Sequence, residues 1–177
     1  MSVDGIAFVR QHGALAELAH ALHEVEDLDA LLMLAARLVT SALEVDFSEV
    51  LEAHGNGSEF RLRAGSGWRW DPQGPTRICP QDGESGYGLA LAGPVVVRDY
   101  RKDVRFFVSP VLLEHGVVSG LRVPIGGPHG GSWGLLGAHT RKERGFLGRE
   151  LVFMAAVADI LAAAIAIAEL REALHRG

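Results

Sequence analysis

The stretch that decides the fold lies in the second half of the chain. Residues 114–125 read EHGVVSGLRVPI and residues 133–139 read WGLLGAH. Both runs are mostly apolar, and a run of glycine and proline at residues 126–131 separates them, so they predict two paired β-strands joined by a turn. From residue 148 to about residue 175 the sequence is rich in alanine and leucine, which is typical of one long helix. We therefore expect a sheet packed against a C-terminal helix.

Two further helices are predicted near the N-terminus from the spacing of apolar residues. Residues 3–24 carry Leu15, Leu18 and Leu22 on one face. A second helix follows Asp27, whose side chain is a suitable N-cap, and its apolar stripe continues for about four turns. The C-terminal helix has two apolar seams rather than one. The second seam either packs on the first helix of the same chain or pairs with another copy, as in a coiled coil. Its residues are Phe153, Val157, Ile160, Ala164, Ile167 and Leu174.

Strands and turns are predicted before the deciding stretch as well. Residues 59–64 alternate between polar and apolar, so Phe60, Leu62 and Ala64 should face a core. Residues 65–88 hold many glycines and several aromatics without a steady period, and they predict an ordered loop over a pocket. Shorter elements are predicted as a strand near residue 45, a hairpin turn at 54–57, a helix at 87–92, a strand at 95–97 and a helix at 111–115.

Composition excludes several classes of protein. The net charge of -5 and the isoelectric point near 5.9 argue against binding of nucleic acid. The single cysteine, Cys79, excludes an internal disulfide and a paired-cysteine metal site, and it fits a reduced, cytoplasmic location. Residues 151–168 are almost wholly apolar, but Asp159 at their centre argues against membrane insertion. The first residues do not resemble a signal peptide.

The motifs of the second half resemble those of the GAF domain, a module of bacterial signalling proteins. Residues 93–99 read GPVVVRD, and Arg105-Phe106 precede Pro110 and the EHGVVSG run. This pattern, continued by WGLLGAH, is similar to the GAF domains of bacterial sensor histidine kinases, which often lie beside PAS domains. The resemblance covers roughly residues 28–170. No phosphoacceptor box or ATP-binding box accompanies it.

The resemblance implies an α+β fold with a central antiparallel sheet of five to six strands. The N- and C-terminal helices would cover one face, and loops and short helices would lie over a pocket on the other. Residues 1–26 would form an N-terminal dimerisation or signalling helix, and residues 27–177 the GAF domain with its long C-terminal helix. The implied function is that of a non-enzymatic sensor, which binds a small molecule, forms a homodimer through its terminal helices and controls an output domain such as a histidine kinase. A dimerisation scaffold without a ligand is the alternative.

Candidate ligand-binding residues are the aromatic side chains predicted to lie around the pocket, together with polar groups near them. Aromatic rings with a few convergent donors suit small-molecule sites. The alternative interpretation is that half of these aromatic residues are ordinary loop anchors and core. The candidates are Trp68, Trp70, Tyr87, Arg105, Phe106, Phe107, His115, Ser119, Arg122 and Trp133.

Single residues also suggest other chemistries. His115 lies near the position where some GAF sensors hold haem, so a haem gas sensor is a further alternative, although a histidine at a helix end also serves simply to bond the last carbonyls. Cys79 alone cannot complete the cycle of a methionine sulfoxide reductase, which needs a resolving thiol. Asp99 and Asp103 lie among arginines and are explained as loop ion pairs. No catalytic residue and no metal site is predicted.

Overall fold

Six strands form one antiparallel sheet in the computed structural model, which describes residues 2–24, 26–69, 78–80 and 84–177. The strand order is β3-β2-β1-β6-β5-β4. In chain order the elements are α1 Val3–Glu24, α2 Leu28–Leu43, β1 Phe47–His54, β2 Glu59–Ser66, β3 Ile78–Pro80, α3 Glu84–Leu91, β4 Val95–Val97, α4 Pro110–Glu114, β5 Ser119–Gly126, β6 Ser132–Thr140 and α5 Gly148–Arg176. The predicted α+β fold is confirmed.

The helical layer covers one face of the sheet, which we call the helical face. α2 packs on β1 and β2, α5 packs on β5 and β6, and α1 packs mainly on α2 and α5. Alternate strand residues Val50, Leu121, Val123 and Leu136 point into this core and are fully or almost fully buried. The Asp27 side chain accepts a hydrogen bond from the backbone N–H of Asp29 at 3.0 Å, as expected of an N-cap.

A β-bulge divides the buried residues of β2 between two cores. The register of β1 against β2 shifts between Val50 and Leu51, so the alternation of side chains is reversed at this point. Phe60 and Leu62 pack with Leu51 on the opposite face of the sheet, which we call the loop face. Ala64 packs with Val50 in the core of the helical face. All three predicted core residues of β2 are buried, but they do not share one core.

α1 and α5 run parallel to each other. Arg149, in the first turn of α5, forms an ion pair with Asp4 in the first turn of α1 at 2.9 Å. Further along, Leu22 of α1 and Ile167 of α5 line the same small cavity. Phe153, Val157 and Ala164, from the second predicted seam of α5, are buried within this chain. The same-chain interpretation of that seam therefore holds for its first part.

A stripe of α5 that includes the end of this seam, Ile167 and Leu174, remains exposed. It consists of large apolar side chains and continues to the end of the helix, as Val152, Ile167, Leu170 and Leu174. α5 is the one described helix that is long and apolar enough to cross a membrane, with a mean hydropathy of 2.5 in its most apolar window. Its packing on β5 and β6 is that of the core helix of a folded domain.

Three local predictions differ from the structure. Part of the predicted loop, Ile78–Pro80, forms the edge strand β3, which pairs with residues 59–61 of β2. α3 begins at Glu84, three residues before the predicted start. The turn between β1 and β2 is a single 3-10 turn at Gly55–Gly57, in which Asn56 adopts a left-handed conformation that asparagine tolerates.

Candidate functional site

A buried group of ionisable side chains occupies the middle of the loop face, and we call it the polar centre. It consists of Glu49 on β1, Arg122 on β5, His139 on β6 and Tyr100 after β4. Glu49 Oε1 accepts hydrogen bonds from Arg122 Nε at 3.1 Å, from Arg122 Nη2, and from His139 Nε2 at 2.9 Å. The Tyr100 hydroxyl lies 3.4 Å from His139 Nδ1. All four residues are more than nine-tenths buried.

Two glycines make room for the polar centre on the sheet. A Cβ atom on Gly120 would lie 2.4 Å from His139 Nδ1 and 2.7 Å from the Tyr100 hydroxyl. A Cβ atom on Gly137 would lie 2.9 Å from Glu49 Oε1. These distances are shorter than the Cβ contacts found in proteins. The side chains of the polar centre therefore pack directly on the backbone of Gly120 and Gly137.

The charges of the polar centre balance within the protein. Burial alone would raise the pKa of Glu49, but the Arg122 guanidinium and His139 beside it more than offset this effect and lower the pKa to about 2. The carboxylate is therefore ionised at neutral pH. Since a carboxylate accepts only, the Nε2 proton of His139 points at Glu49. A buried ion pair needs such additional hydrogen bonds to offset its desolvation.

An aromatic wall borders the polar centre. Trp68 stacks on Phe47 with ring centroids 4.4 Å apart, and its edge-on contact with His139 has a centroid distance of 5.8 Å. The indole Nε1–H of Trp68 donates to the backbone carbonyl of Ser48 at 2.7 Å, which fixes the orientation of the ring. The predicted pocket residue Trp68 therefore lies beside the polar centre.

His115 also belongs to this wall, but its geometry does not fit a haem ligand. Its Nδ1–H donates to the carbonyl of Val111 at 2.8 Å, and its Nε2 accepts from the backbone N–H of Arg69 at 3.1 Å. The ring packs edge-on against Phe47 and Trp68. Both ring nitrogens are thus engaged in a neutral, buried imidazole, so no lone pair is left for iron.

Tyr87, Arg105 and Phe106 form the roof over β4. The Arg105 guanidinium lies 5.5 Å from the ring centroid of Tyr87 and 5.6 Å from that of Phe106. Asp103 forms an ion pair with Arg105 at 2.6 Å, and Arg105 Nη2 also donates to the carbonyl of Val96 at 2.9 Å. The hydrogen bonds from Arg105 are one cause of the lowered pKa of Asp103. The loop ion pair expected from the sequence is present.

The remaining predicted site residues fall elsewhere. Ser119 is buried, where its hydroxyl lies 2.8 Å from the carbonyl of Arg98 and accepts from the backbone N–H of Arg144 at 2.9 Å, so it joins two loops. Phe107 is 77% exposed and takes no part in the aromatic wall. Trp133 packs on the helical face, with Arg63 5.8 Å from its ring. Trp70 lies outside the described residues.

Sequence reasoning missed three members of the polar centre. Glu49, His139 and Tyr100 stand in or beside strands and match no catalytic or metal-binding motif. One signal was available: Glu49 lies two residues after Phe47 in β1, so it shares the face of a buried aromatic ring. Among the described residues, no group of histidine, cysteine, aspartate or glutamate side chains is placed to hold a metal ion.

Comparison with known proteins gives the family. The family model of the GAF domain matches residues 27–165, most of the chain. The chain belongs to the GAF domain family. GAF domains are sensory and regulatory domains that bind small ligands. No curated protein sequence matches the chain.

Solved structures of GAF domains share the fold at low sequence identity. The GAF domain of a phosphoenolpyruvate-protein phosphotransferase from Coxiella burnetii has a TM-score of 0.82 at 22% identity, covering 93% of this chain and 98% of its own. Free methionine-R-sulfoxide reductase from Neisseria meningitidis, solved with its substrate, has a TM-score of 0.76 at 19% identity, covering 91% of each chain. A phycoerythrobilin-bound GAF domain of a cyanobacterial phytochrome has a TM-score of 0.71 at 20% identity, covering 92% of this chain and 97% of its own.

Proposed function

We propose that this GAF domain is a non-enzymatic sensor that binds a small molecule on the loop face and transmits the binding event through α5. The observation that supports the proposal is that β5 lies between the polar centre and α5. Arg122 of β5 belongs to the polar centre, whereas its neighbours Leu121 and Val123 pack in the core of the helical face, where β5 contacts α5. A ligand that moves Arg122 would therefore displace the strand on which α5 rests.

The output step of the proposal is a homodimer formed by α1 and α5. Both terminal helices expose apolar side chains, among them Ile6 and Val9 of α1, and the two helices run parallel. Pairing of these stripes with a second copy would remove a large apolar area from water. A change in this helical dimer would then control an output domain, such as a histidine kinase, in the same chain or another. We place this signalling module in the cytoplasm.

A ligand-free dimerisation scaffold is a second candidate. It is favoured by the polar centre itself, because Glu49, Arg122 and His139 already satisfy one another in the middle of the loop face. The haem sensor is not carried forward, since His115 has no nitrogen left for iron.

Purification from the native host, followed by mass spectrometry and a thermal-shift screen of metabolites, separates the two candidates. A sensor should release a bound small molecule on denaturation, and that molecule should raise the melting temperature of the emptied protein. The same molecule should bind less tightly to an Arg105→Ala variant, which alters the roof, than to Arg61→Ala, which removes an exposed arginine of β2. If nothing is released and no metabolite raises the melting temperature, the scaffold replaces the sensor.

A further inference from the structure

A single charged residue interrupts the exposed apolar stripe of α5. Asp159 lies seven residues after Val152 and eleven before Leu170, which is about two turns and about three turns of helix, so the three residues share one face. Asp159 is exposed, and in the part of the chain that the structure describes its carboxylate forms no hydrogen bond or ion pair. The residues three and four positions away from it are all alanine, namely Ala155, Ala156, Ala162 and Ala163. The stripe therefore carries one carboxylate that its own chain does not neutralise.

His12 is the corresponding lone ionisable group of α1. It is exposed, and the residues three and four positions away from it carry no charge, since they are Phe8, Val9, Leu15 and Ala16. The Nδ1–H of His12 donates to the carbonyl of Phe8 at 3.0 Å, and the two rings pack with a centroid distance of 3.9 Å. Because Nδ1 already carries a proton, Nε2 is the nitrogen that becomes a donor when the ring is charged.

α1 and α5 are parallel and keep one register. Asp4 and Arg149, in the first turns of the two helices, form an ion pair at 2.9 Å, and Leu22 and Ile167 line the same small cavity further along. In both pairs the two residues are 145 positions apart in the sequence, so the offset between the helices is constant. A residue of α5 therefore lies level with the residue of α1 that precedes it by 145 positions.

This register sets Asp159 two residues, or about 3 Å along the helix axis, beyond His12. Within one chain the two described side chains form no ion pair. In a homodimer whose two-fold axis is parallel to the helices, α5 of one subunit faces α1 of the partner, and every residue keeps its level. We propose that Asp159 forms an ion pair with His12 of the partner subunit, twice in each dimer. This inference rests on the homodimer of the proposed function.

The other charged groups of α1, α5 and the turn between β5 and β6 do not supply this contact. Glu17 is five residues after His12, about 1.4 turns, so it lies on a different side of α1. His23 shares the face of His12 but is about three turns further along. The groups already paired within the chain are Arg10 with Glu44, Arg149 with Asp4, His20 with Glu24, and His129 with Glu169. A second copy therefore brings His12 to Asp159 as its counter-charge, together with the apolar area of α1.

The proposed ion pair makes dimerisation depend on pH. Histidine gains its charge between about pH 8 and about pH 5, where a carboxylate is ionised. The charged imidazole offsets the cost of enclosing the carboxylate in an apolar interface, and the neutral imidazole does not. We expect sedimentation velocity to give a dissociation constant about tenfold lower at pH 6 than at pH 8. His12→Ala and Asp159→Ala should each lose this difference, whereas His23→Ala, at an exposed histidine of the same face, should keep it.

An exchange of the two residues tests the contact directly. In a His12→Asp homodimer two carboxylates meet at each contact, and in an Asp159→His homodimer two imidazoles meet. A mixed dimer with one copy of each variant restores one carboxylate and one imidazole at both contacts. Both positions are exposed, so both variants should fold. With one variant labelled with ¹⁵N, native mass spectrometry of an equal mixture should show mixed dimers well above their statistical share of one half.

The outcomes separate the ion pair from the homodimer on which it rests. A dimeric parent whose two exchange variants mix statistically, or whose His12→Ala variant keeps the pH dependence, would overturn the ion pair and leave the homodimer standing. A parent that is monomeric at both pH values would overturn both. An equal loss of pH dependence in His23→Ala would assign the effect to the helical surface as a whole and not to this pair.

Discussion

Glu49 and Arg122 meet above Gly137. The three residues stand in register on neighbouring strands, because Gly137 of β6 pairs with Glu49 of β1 on one side and with Arg122 of β5 on the other. The guanidinium therefore reaches across a whole strand to bond the carboxylate, at 3.1 Å from Nε to Oε1. Any side chain in place of Gly137 would block this contact.

Gly137→Ala should destabilise the domain. The new Cβ would lie 2.9 Å from Glu49 Oε1 and 3.0 Å from His139 Nε2, so buried, hydrogen-bonded groups would have to move. We expect a loss of about 1–3 kcal/mol in the free energy of unfolding, measured by urea denaturation. Gly145→Ala is the control, since nothing lies within 4 Å of its Cβ position. Equal stability of the two variants would contradict the packing described for the polar centre.

Glu49 and Arg122 should show strong energetic coupling. Arg122→Met leaves the buried carboxylate without its cation, and Glu49→Gln leaves the buried guanidinium without its anion, so each should cost about 3–5 kcal/mol. The double variant removes both charges and should cost clearly less than the sum of the two. Urea denaturation of the four proteins measures this coupling. Additive losses would show that the two groups act independently.

Stability should depend on pH through Glu49. The pKa of this group is about 2 in the folded protein and near 4.5 when unperturbed, so the unfolded state binds its proton first as the pH falls. The stabilisation is fully present above about pH 4.5 and is lost as the pH decreases toward 2. Asp46, Asp99 and Asp103 also have lowered pKa values, so the parent must be compared with Glu49→Gln. In that range the stability of the variant should decrease less steeply. Parallel pH profiles would argue against an ionised Glu49.

Leu170→Glu should weaken the proposed dimer. Leu170 is 61% exposed on the apolar stripe of α5, and a carboxylate there would have to be desolvated in a helical interface. Sedimentation velocity should show a shift toward the monomer of at least tenfold in dissociation constant. Leu113→Glu is a matched control, because Leu113 is 62% exposed on α4 and away from both terminal helices. Should Leu113→Glu dissociate the protein and Leu170→Glu not, the interface would lie at the loop face.

Local sequence patterns predicted much of the fold. The start of α5 at Gly148, the strands β5 and β6 and the Asp27 cap follow from composition, periodicity and hydrogen-bonding capacity within a few residues. Such features are short-range, so a sequence window contains their causes. The edge strand β3 was missed because three residues among glycines and prolines have no measurable period, and only its pairing with β2 makes it a strand.

The candidate site was predictable only in part, because periodicity tells which side of a strand a residue takes but not what it meets there. Trp68, Tyr87, Arg105, Phe106, His115 and Arg122 lie on the predicted side of the sheet. Phe107 and Trp133 were predicted on the same grounds, as aromatic residues. Phe107 is exposed to solvent, however, and Trp133 packs in the core under the helices. Trp133 is the clear example, since strict alternation along β6 would place it with Leu135 and His139 on the loop face. The register shift between β5 and β6 at Ile125/Gly126 turns it into the helical core instead.

By itself, the sequence determined that this chain is a GAF domain with an α+β architecture, because element type, order and motif are written in neighbouring residues. The tertiary structure alone decided that Glu49 lies against Arg122, 73 positions away. The strand order places β6 between β1 and β5, and the register of both pairs on Gly137 brings these two groups together. Contacts between distant residues depend on how whole elements pack, and packing is a property of the folded chain.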